Sequence, residues 1–322
     1  AGIVEKRHTV PVLANALIHK QGEQSIWTTS DLEIQMRHQA CLGGDEVPDY
    51  STTVSVRKLL DILRTLPAEQ IVSLEEKEQK LLLRAGKSRF TLQSLPAQDF
   101  PLVQEAGSYS APITLPQNEL KKRLHQVAFS MAVQDIRHYL NGLLLQIDGK
   151  KLAIVATDGH RLAYTETILE QELPKQDIIL PRKTVLELLR LLSDQEGAMM
   201  ELAIASNQAR FRLGSLEFVS KLVEGKFPDY NRVIPQNHSQ VLQVSRTALQ
   251  ASLQRTAIMM SDKFKGVRLN LEPGVLRVSS NNNEQEEAID ELDVDYAGPA
   301  MEIGFNVTYL QDVLANQTQE MV

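Results

Sequence analysis

The chain has 322 residues, 43% of them apolar and 23% charged, with a formal net charge of −7. That length admits one to three domains with a sizeable core, built mainly from Leu, Val, Ile and Ala because aromatics are scarce. A single cysteine, Cys41, excludes an internal disulfide and a cysteine zinc cluster and suits a reducing compartment, while no apolar run approaches the ~20 residues of a membrane helix and no signal peptide opens the chain.

In chain order, the first helical periodicity covers 55–65, where Leu59, Leu60 and Leu63 predict the core side and Lys58 is outermost. Consecutive strands follow, carrying Lys80, Arg84, Lys87 and Arg89 and ending at Phe90 and Leu92. Residues 112–115 read as a short strand and 118–131 as an amphipathic helix. Leu120, Leu124, Val127 and Met131 form its apolar stripe, with Lys121, Lys122 and His125 opposite. Strands are predicted at 140–147, 151–156 and 162–168, where Leu152, Ile154 and Ala156 alternate. A proline-started strand-to-helix step spans 178–192, with Val185, Leu188, Leu189 and Leu192 inward and Lys183 and Arg190 facing away. Further strands are predicted at 199–205, 208–213 and 216–222. The last third holds helices at 244–260 and 306–315 and an acidic strand with Glu284, Glu286, Glu287 and Asp290.

The chain repeats itself with a period near 125 residues. Leu13 matches Leu140 and then Phe264, and Arg57-Lys58 matches Arg182-Lys183. Val185 matches Tyr309, Arg89-Phe90 matches Arg210-Phe211, Phe100-Pro101 matches Phe227-Pro228, and Leu120 matches Leu249. A unit of this size is a domain rather than a solenoid repeat. The expected organisation is three α+β domains, at 1–109, 110–236 and 237–322, each with helices on antiparallel sheet. The first lacks the strand and helix that open the second, and the third stops soon after its second helix, so both ends are expected to be truncated.

Charge is distributed unevenly. The helices at 55–65, 118–131, 181–192 and 244–260 each carry net +2, and 306–315, with Asp312, carries −1. These helices sum to +7, which leaves −14 on the rest of the chain. Four like-charged helices in an acidic protein point to a shared cationic surface for phosphate backbones, and the lack of aromatic stacking platforms favours duplex nucleic acid. The ends are also opposite in sign: Lys80, Arg84, Lys87 and Arg89 in the first repeat face Glu284, Glu286, Glu287 and Asp290 in the third. A head-to-tail contact uses such an arrangement, and with a suitable rotation it closes a ring.

Signals for catalysis are missing. Asp158-Gly159-His160 follows a strand beside Arg161, but no nucleophile elbow or second carboxylate accompanies it. The seven histidines are scattered without metal-ligand spacing, and Gly43-Gly44 precedes an acidic loop rather than a helix N-terminus. No catalytic residue, metal or cofactor is expected.

Several segments, in order, resemble the bacterial DNA polymerase III β subunit family of replicative sliding clamps. They are SRFTLQSLPAQDFP (88–101), VATDGHRLA (155–163), KLVEGKFPDYNRVIP (221–235), DKFKGVRL (262–269), NNNEQEEA (281–288) and MEIGFNV (301–307). The resemblance runs along essentially the whole chain. It implies a non-catalytic, cytoplasmic processivity factor for DNA replication, with three clamp domains per chain and a head-to-tail homodimer forming a six-domain ring. Basic helices would line the hole and sheets would form the outside. DNA contacts would involve Arg7, Gln134, Arg137, His138 and Tyr139 besides the helix cations Lys58, Lys122, Arg182 and Lys183. The dimer contact would join Phe90 and Leu92 to Ile258 and Met259, flanked by Lys87, Arg89, Glu284, Glu286 and Glu287. A cleft at Leu140, Thr157, Gly159, His160, Arg161, Leu162, Pro228, Arg232, Val233, Asn306 and Tyr309, with Arg137 beside it, would bind short linear motifs. Those motifs would come from replicative and translesion polymerases, the clamp loader and mismatch-repair proteins. A peptide-binding scaffold that does not encircle DNA is the alternative.

Overall fold

The computed structural model describes residues 2–4, 10–42, 48–260 and 265–322. The chain divides into an N-terminal unit, 1–158 with 164–227, and a C-terminal unit, 159–163 with 228–322. No helix among the described residues is long and apolar enough to cross a membrane.

The N-terminal unit opens with β1 (Asn15–Gln21), β2 (Gln24–Ser30), β3 (Ile34–Cys41) and β4 (Tyr50–Ser55). Helix α1 (Val56–Thr65) follows β4 directly, and then come β5 (Val72–Lys77), β6 (Lys80–Ala85) and β7 (Ser88–Gln93). The second repeat runs β8 (Ile113–Pro116), α2 (Gln117–Ala128), β9 (Gly142–Thr157), β10 (Leu162–Pro181), α3 (Arg182–Leu191), β11 (Met199–Ile204), β12 (Gln208–Leu213) and β13 (Leu216–Lys221). The C-terminal unit holds α4 (Arg246–Ala257), β14 (Gly266–Glu272), β15 (Val275–Asn281), β16 (Glu287–Asp293), β17 (Met301–Asn306) and α5 (Val307–Ala315). The helices α1, α3 and α5 each start where a strand ends, at steps of 126 and 125 residues, and α2 and α4 start 129 residues apart. The repeat read from sequence is therefore a repeat of architecture.

Local chemistry sets these strand-to-helix switches. Ser55 caps α1 by accepting the Lys58 N–H, Asn306 caps α5 by accepting the Thr308 N–H at 3.0 Å, and Ser245 caps α4 through Ala248. Proline precedes α2 and α3, where its missing N–H is no loss. Inward stripes follow the predicted spacing in α2, where Leu120, Leu124, Val127 and Met131 are buried, and largely in α3, where Val185, Leu188 and Leu192 are buried while Leu189, expected inward with them, is half-buried. In α1 the stripe is Val56, Leu59, Ile62 and Leu66, so Leu63, expected inside, lies on the flank and is 40% exposed.

An eight-stranded antiparallel sheet, β4-β1-β2-β3-β13-β12-β11-β8, joins the first two repeats. Its register places Val54, Ile18, Trp27, Met36, Phe218, Phe211, Leu202 and Ile113 on one face, because directly paired residues share a side. This continuous apolar face crosses the repeat boundary, and on it the Phe211 and Phe218 rings pack at a 52° tilt with centroids 5.9 Å apart. On the opposite face the linker between the repeats lies against β3 and β12. Val103 N–H donates to Gln35, Ala106 N–H and Tyr109 OH donate to Gln208, and Arg210 lies over the Tyr109 ring.

Two strand expectations change. The strands expected at 140–147 and 151–156 form one element, β9, with Gly149 in the left-handed region (φ +62) at its middle. The strand expected at 162–168 continues as β10 to Pro181. One repeat match also moves. The order β5-β6-β7 parallels β11-β12-β13, which matches Arg89-Phe90 to Glu217-Phe218 at a step of 128 rather than to Arg210-Phe211. The shared Arg-Phe dipeptide misaligned neighbouring hairpin strands of similar composition. Phe264, the third member of the Leu13 match, lies outside the described residues.

Candidate nucleic-acid and partner interfaces

Helix cations divide into spent and open charges. Lys121 pairs with Asp194 at 2.5 Å, Arg123 with Glu119 at 2.6 Å, Arg190 with Glu187 at 2.7 Å and Arg255 with Asp290 at 2.5 Å. Arg57, Lys58, Arg64 and Lys122 are exposed and make no ion pair with any described residue. Counting helix charges alone thus overstates the open cationic surface.

Lys183 shows why. It was expected to face away, yet its ammonium meets Asp31 at 2.5 Å and the Ile3 carbonyl at 3.3 Å. Asp31 closes the β2–β3 turn: Oδ1 accepts the N–H of Glu33 at 2.9 Å and of Ile34 at 2.7 Å, leaving Oδ2 for Lys183. The carboxylate is 5% exposed, so these partners rather than water satisfy its oxygens. Beside it, Lys221 N–H donates to the Glu33 carbonyl, and Thr184 and Ser220 share a hydrogen bond at 2.6 Å. Strand pairing between β3 and β13 and this ion pair together form the junction of the first two repeats.

The 129–141 loop presents the other proposed DNA residues. Asn141 braces it, accepting the Asp135 N–H and donating to the Asp135 carbonyl, both at 2.8 Å. Gln134 is exposed at a left-handed φ of +56, a conformation that costs a non-glycine residue energy and fixes where its amide projects. Arg137 is exposed but gripped by Asp135 through two bonds of 2.9 and 2.8 Å, and that bonding raises its already high pKa. His138 is exposed and Tyr139 half-buried. Arg182 is half-buried and donates to the Met131 carbonyl at 3.3 Å, tying α3 to this loop. Arg7 lies outside the described residues.

At the edges, β7 ends the sheet β5-β6-β7 and β16 ends the sheet β16-β15-β14-β17. Lys87, Arg89, Glu284, Glu286 and Glu287 are exposed. Leu92 and Phe90 both point toward the core of the first repeat, where Leu92 is buried and Phe90 packs partly covered. Ile258, just past α4, is 74% exposed and Met259 half-buried. Arg255–Asp290 ties α4 to β16 beneath them.

The peptide-site residues fall on several segments. Leu140 and Thr157 are buried in the N-terminal unit. Gly159, at φ +89, His160, Arg161 and Leu162 belong to the C-terminal unit. So do Pro228, Arg232 and Val233, all exposed, and Asn306 and Tyr309, both half-buried. Arg232 pairs with Asp229 at 2.9 Å, and the Asn306 side chain is occupied in capping α5. Sequence reasoning missed the carboxylates Asp31, Asp135 and Asp312 that hold Lys183, Arg137 and Arg161. One signal was available: Asp31 in TSDLE occupies the place of Asp158 in ATDGH, one repeat earlier.

Three family models of the DNA polymerase III beta subunit match in order, the N-terminal domain over 1–104, the central domain over 114–229 and the C-terminal domain over 231–322. The chain belongs to the DNA polymerase III β subunit family, the sliding clamps. The beta sliding clamp of Pseudomonas putida is 46% identical over 324 residues, covering 100% of this chain and 87% of that one. The beta sliding clamp of Escherichia coli is 42% identical over 314 residues, covering 98% and 85%. The crystal structure of the Pseudomonas aeruginosa β subunit superposes with a TM-score of 0.95 at 42% identity, covering 100% and 87%. A second structure of that protein, bound to griselimycin, gives 0.94 at 43% identity, covering 100% and 86%. The repeat, the antiparallel sheets and the paired helices described above are thus those of three clamp domains.

Proposed function

We propose that two copies of this sliding clamp close head to tail into a six-domain ring around duplex DNA and hold the replicative polymerase on its template. The role is topological, and the chain itself performs no chemistry. Its place is the cytoplasm, where bacterial DNA is copied.

One observation carries the reading. The β3–β13 junction already joins two repeats by strand pairing, with a helix cation reaching into a turn of the neighbouring repeat. The chain ends with the two halves of another such junction. Strand β7 corresponds to β13 and β16 to β3, and both are edges. The Arg57–Lys58 turn of α1 corresponds to Arg182–Lys183. The 282–286 turn repeats the Asp31 turn: Asn282 Oδ1 accepts the N–H of Glu284 at 2.9 Å and of Glu286 at 3.0 Å. Pairing β7 of one chain with β16 of its partner would bring Lys58, Lys87 and Arg89 to Glu284, Glu286 and Glu287. Ile258, Met259 and the uncovered edge of Phe90 would pack alongside, with Leu92 supporting from the core.

Lys122, Gln134, Arg137, His138, Tyr139 and Arg182 are the proposed DNA contacts, joined by Arg7 and Lys58. Lys183 serves the repeat junction first, since Asp31 neutralises most of its charge. Phosphate contacts without base readout favour no position along the duplex, which lets a ring slide. Leu140, Thr157, Gly159, His160, Arg161, Leu162, Pro228, Arg232, Val233, Asn306 and Tyr309 form the proposed capture surface for linear motifs of polymerases, the clamp loader and mismatch-repair proteins. Capture raises the effective concentration of the polymerase at the primer end.

The test is retention on DNA after loading. The clamp should stay on a nicked circular plasmid through a high-salt gel-filtration step and leave when the circle is cut. Equal retention on circular and linear DNA, or none on either, would favour a peptide-binding scaffold that does not encircle DNA.

A further inference from the structure

Strand β13 leads into a short turn that ends at buried Phe227. Leu222 N–H donates to the Asn207 carbonyl and Val223 N–H to the Ile179 carbonyl, both at 2.9 Å, so the base of the turn is fixed. At its tip Gly225 has φ +120, a backbone conformation that glycine takes freely and side chains resist. Its bare backbone lies against Tyr139: a Cβ built there would stand 3.7 Å from both Cβ and Cδ1 of Tyr139. Two residues further along, Asn141 ties the same loop to α3, its carbonyl accepting the Arg182 N–H at 2.9 Å. The residue after Gly225 is Lys226, which is exposed and makes no hydrogen bond or ion pair with any described residue. Glu224, the other charge of the turn, is exposed and does not pair with it, and Asp229 is occupied by Arg232 at 2.9 Å.

We infer that Lys226 is a further phosphate-binding residue of the clamp, set on the DNA path by the packing of the Gly225 turn against Tyr139. This rests on the DNA-contact reading of the 129–141 loop. Consecutive Cα atoms stand about 3.8 Å apart, so Lys226 starts within one residue of the contact with Tyr139. A lysine ammonium on its flexible stem binds phosphate as a point charge and reads no base, which suits a sliding contact. Arg137 and Lys183 can meet a phosphate only by sharing or leaving Asp135 and Asp31. Lys226 has no acid to give up among the described residues, so its full charge is available to the duplex.

The experiment uses the whole chain and a fluorescein-labelled duplex of mixed sequence, with binding followed by anisotropy at several salt concentrations. Lys226→Gln and Lys226→Arg are compared with the parent and with Lys150→Gln, which removes the same charge from an exposed position on β9. Lys226→Gln should bind more weakly, and between about 50 and 200 mM salt its deficit relative to the parent should shrink by about three- to fourfold, the share of one phosphate contact. Lys226→Arg should bind like the parent, and the melting temperatures of both Lys226 variants should match it, because the side chain packs in no core. If the parent binds with the expected salt dependence while Lys226→Gln behaves as Lys150→Gln does, the inference is overturned. A loss as large with arginine as with glutamine also overturns it. A parent that does not bind duplex at all overturns the DNA-contact reading, and the role of Lys226 with it.

Discussion

At the scale of single residues, the molecule is organised by carboxylates that hold cations in place. Asp31 holds Lys183, Asp135 holds Arg137 and Asp312 holds Arg161. The Asp31 pair is the most buried of the three on its acidic side. Lys183→Met keeps the aliphatic stem and removes the ammonium, leaving the Asp31 carboxylate with two backbone N–H donors and, among the described residues, no counter-charge. Urea unfolding should show a loss of about 1–3 kcal/mol, the cost of an under-satisfied buried charge. No change in the midpoint would mean that the two backbone donors suffice. None of this was legible from charge counts. Spacing placed Lys183 and Arg190 on the polar side of α3, but a polar side is not an open one. Their partners lie 152 residues and three residues away, and only the first depends on the fold.

At the scale of elements, the sequence was most informative where periodicity is long. All five helices occur at the expected places, α2 buries its expected stripe, and α3 buries its own except for Leu189, which is half-buried. In α1 only Leu59 of the three leucines expected in the core is buried, Leu60 being half-buried and Leu63 exposed, because Ile62 continues the stripe against the neighbouring strands. Strands were read well where polar turns separate them, as in β11, β12 and β13. The continuous spans of β9 and β10 were missed, since a short turn inside an alternating run looks like a break. Among the helices, α2 leaves Lys122 open while Asp194 and Glu119 occupy its neighbours. Lys122→Gln should lower the salt slope of duplex binding by about one unit and weaken binding evenly across sequences, as loss of a single phosphate contact does. A sequence-dependent loss in filter binding would point to base readout instead.

At the scale of the whole molecule, the repeat explains how an acidic chain carries four helices of the same positive sign. Net −7 is a property of the sum; α1 leaves Arg57, Lys58 and Arg64 open and α2 leaves Lys122 open, whereas Arg137 of the 129–141 loop is held by Asp135. The period and the order of elements were legible because three copies of one plan give three chances to see each signal. The junction chemistry was not, because it joins residues distant in sequence. The proposed closure of a ring would rest on β7 meeting β16 of a second copy as β13 meets β3 within the chain. Crosslinking tests this most directly. With Cys41→Ser to remove the exposed native thiol, Arg89→Cys on β7 and Ile289→Cys on β16, which face each other in the register that Glu217 and Arg37 set within the chain, are combined and treated with a short bismaleimide. The account predicts a covalent dimer from the double variant, mostly circular, and uncrosslinked chains when either cysteine is present alone. A double variant that stays monomeric under the same conditions would contradict it.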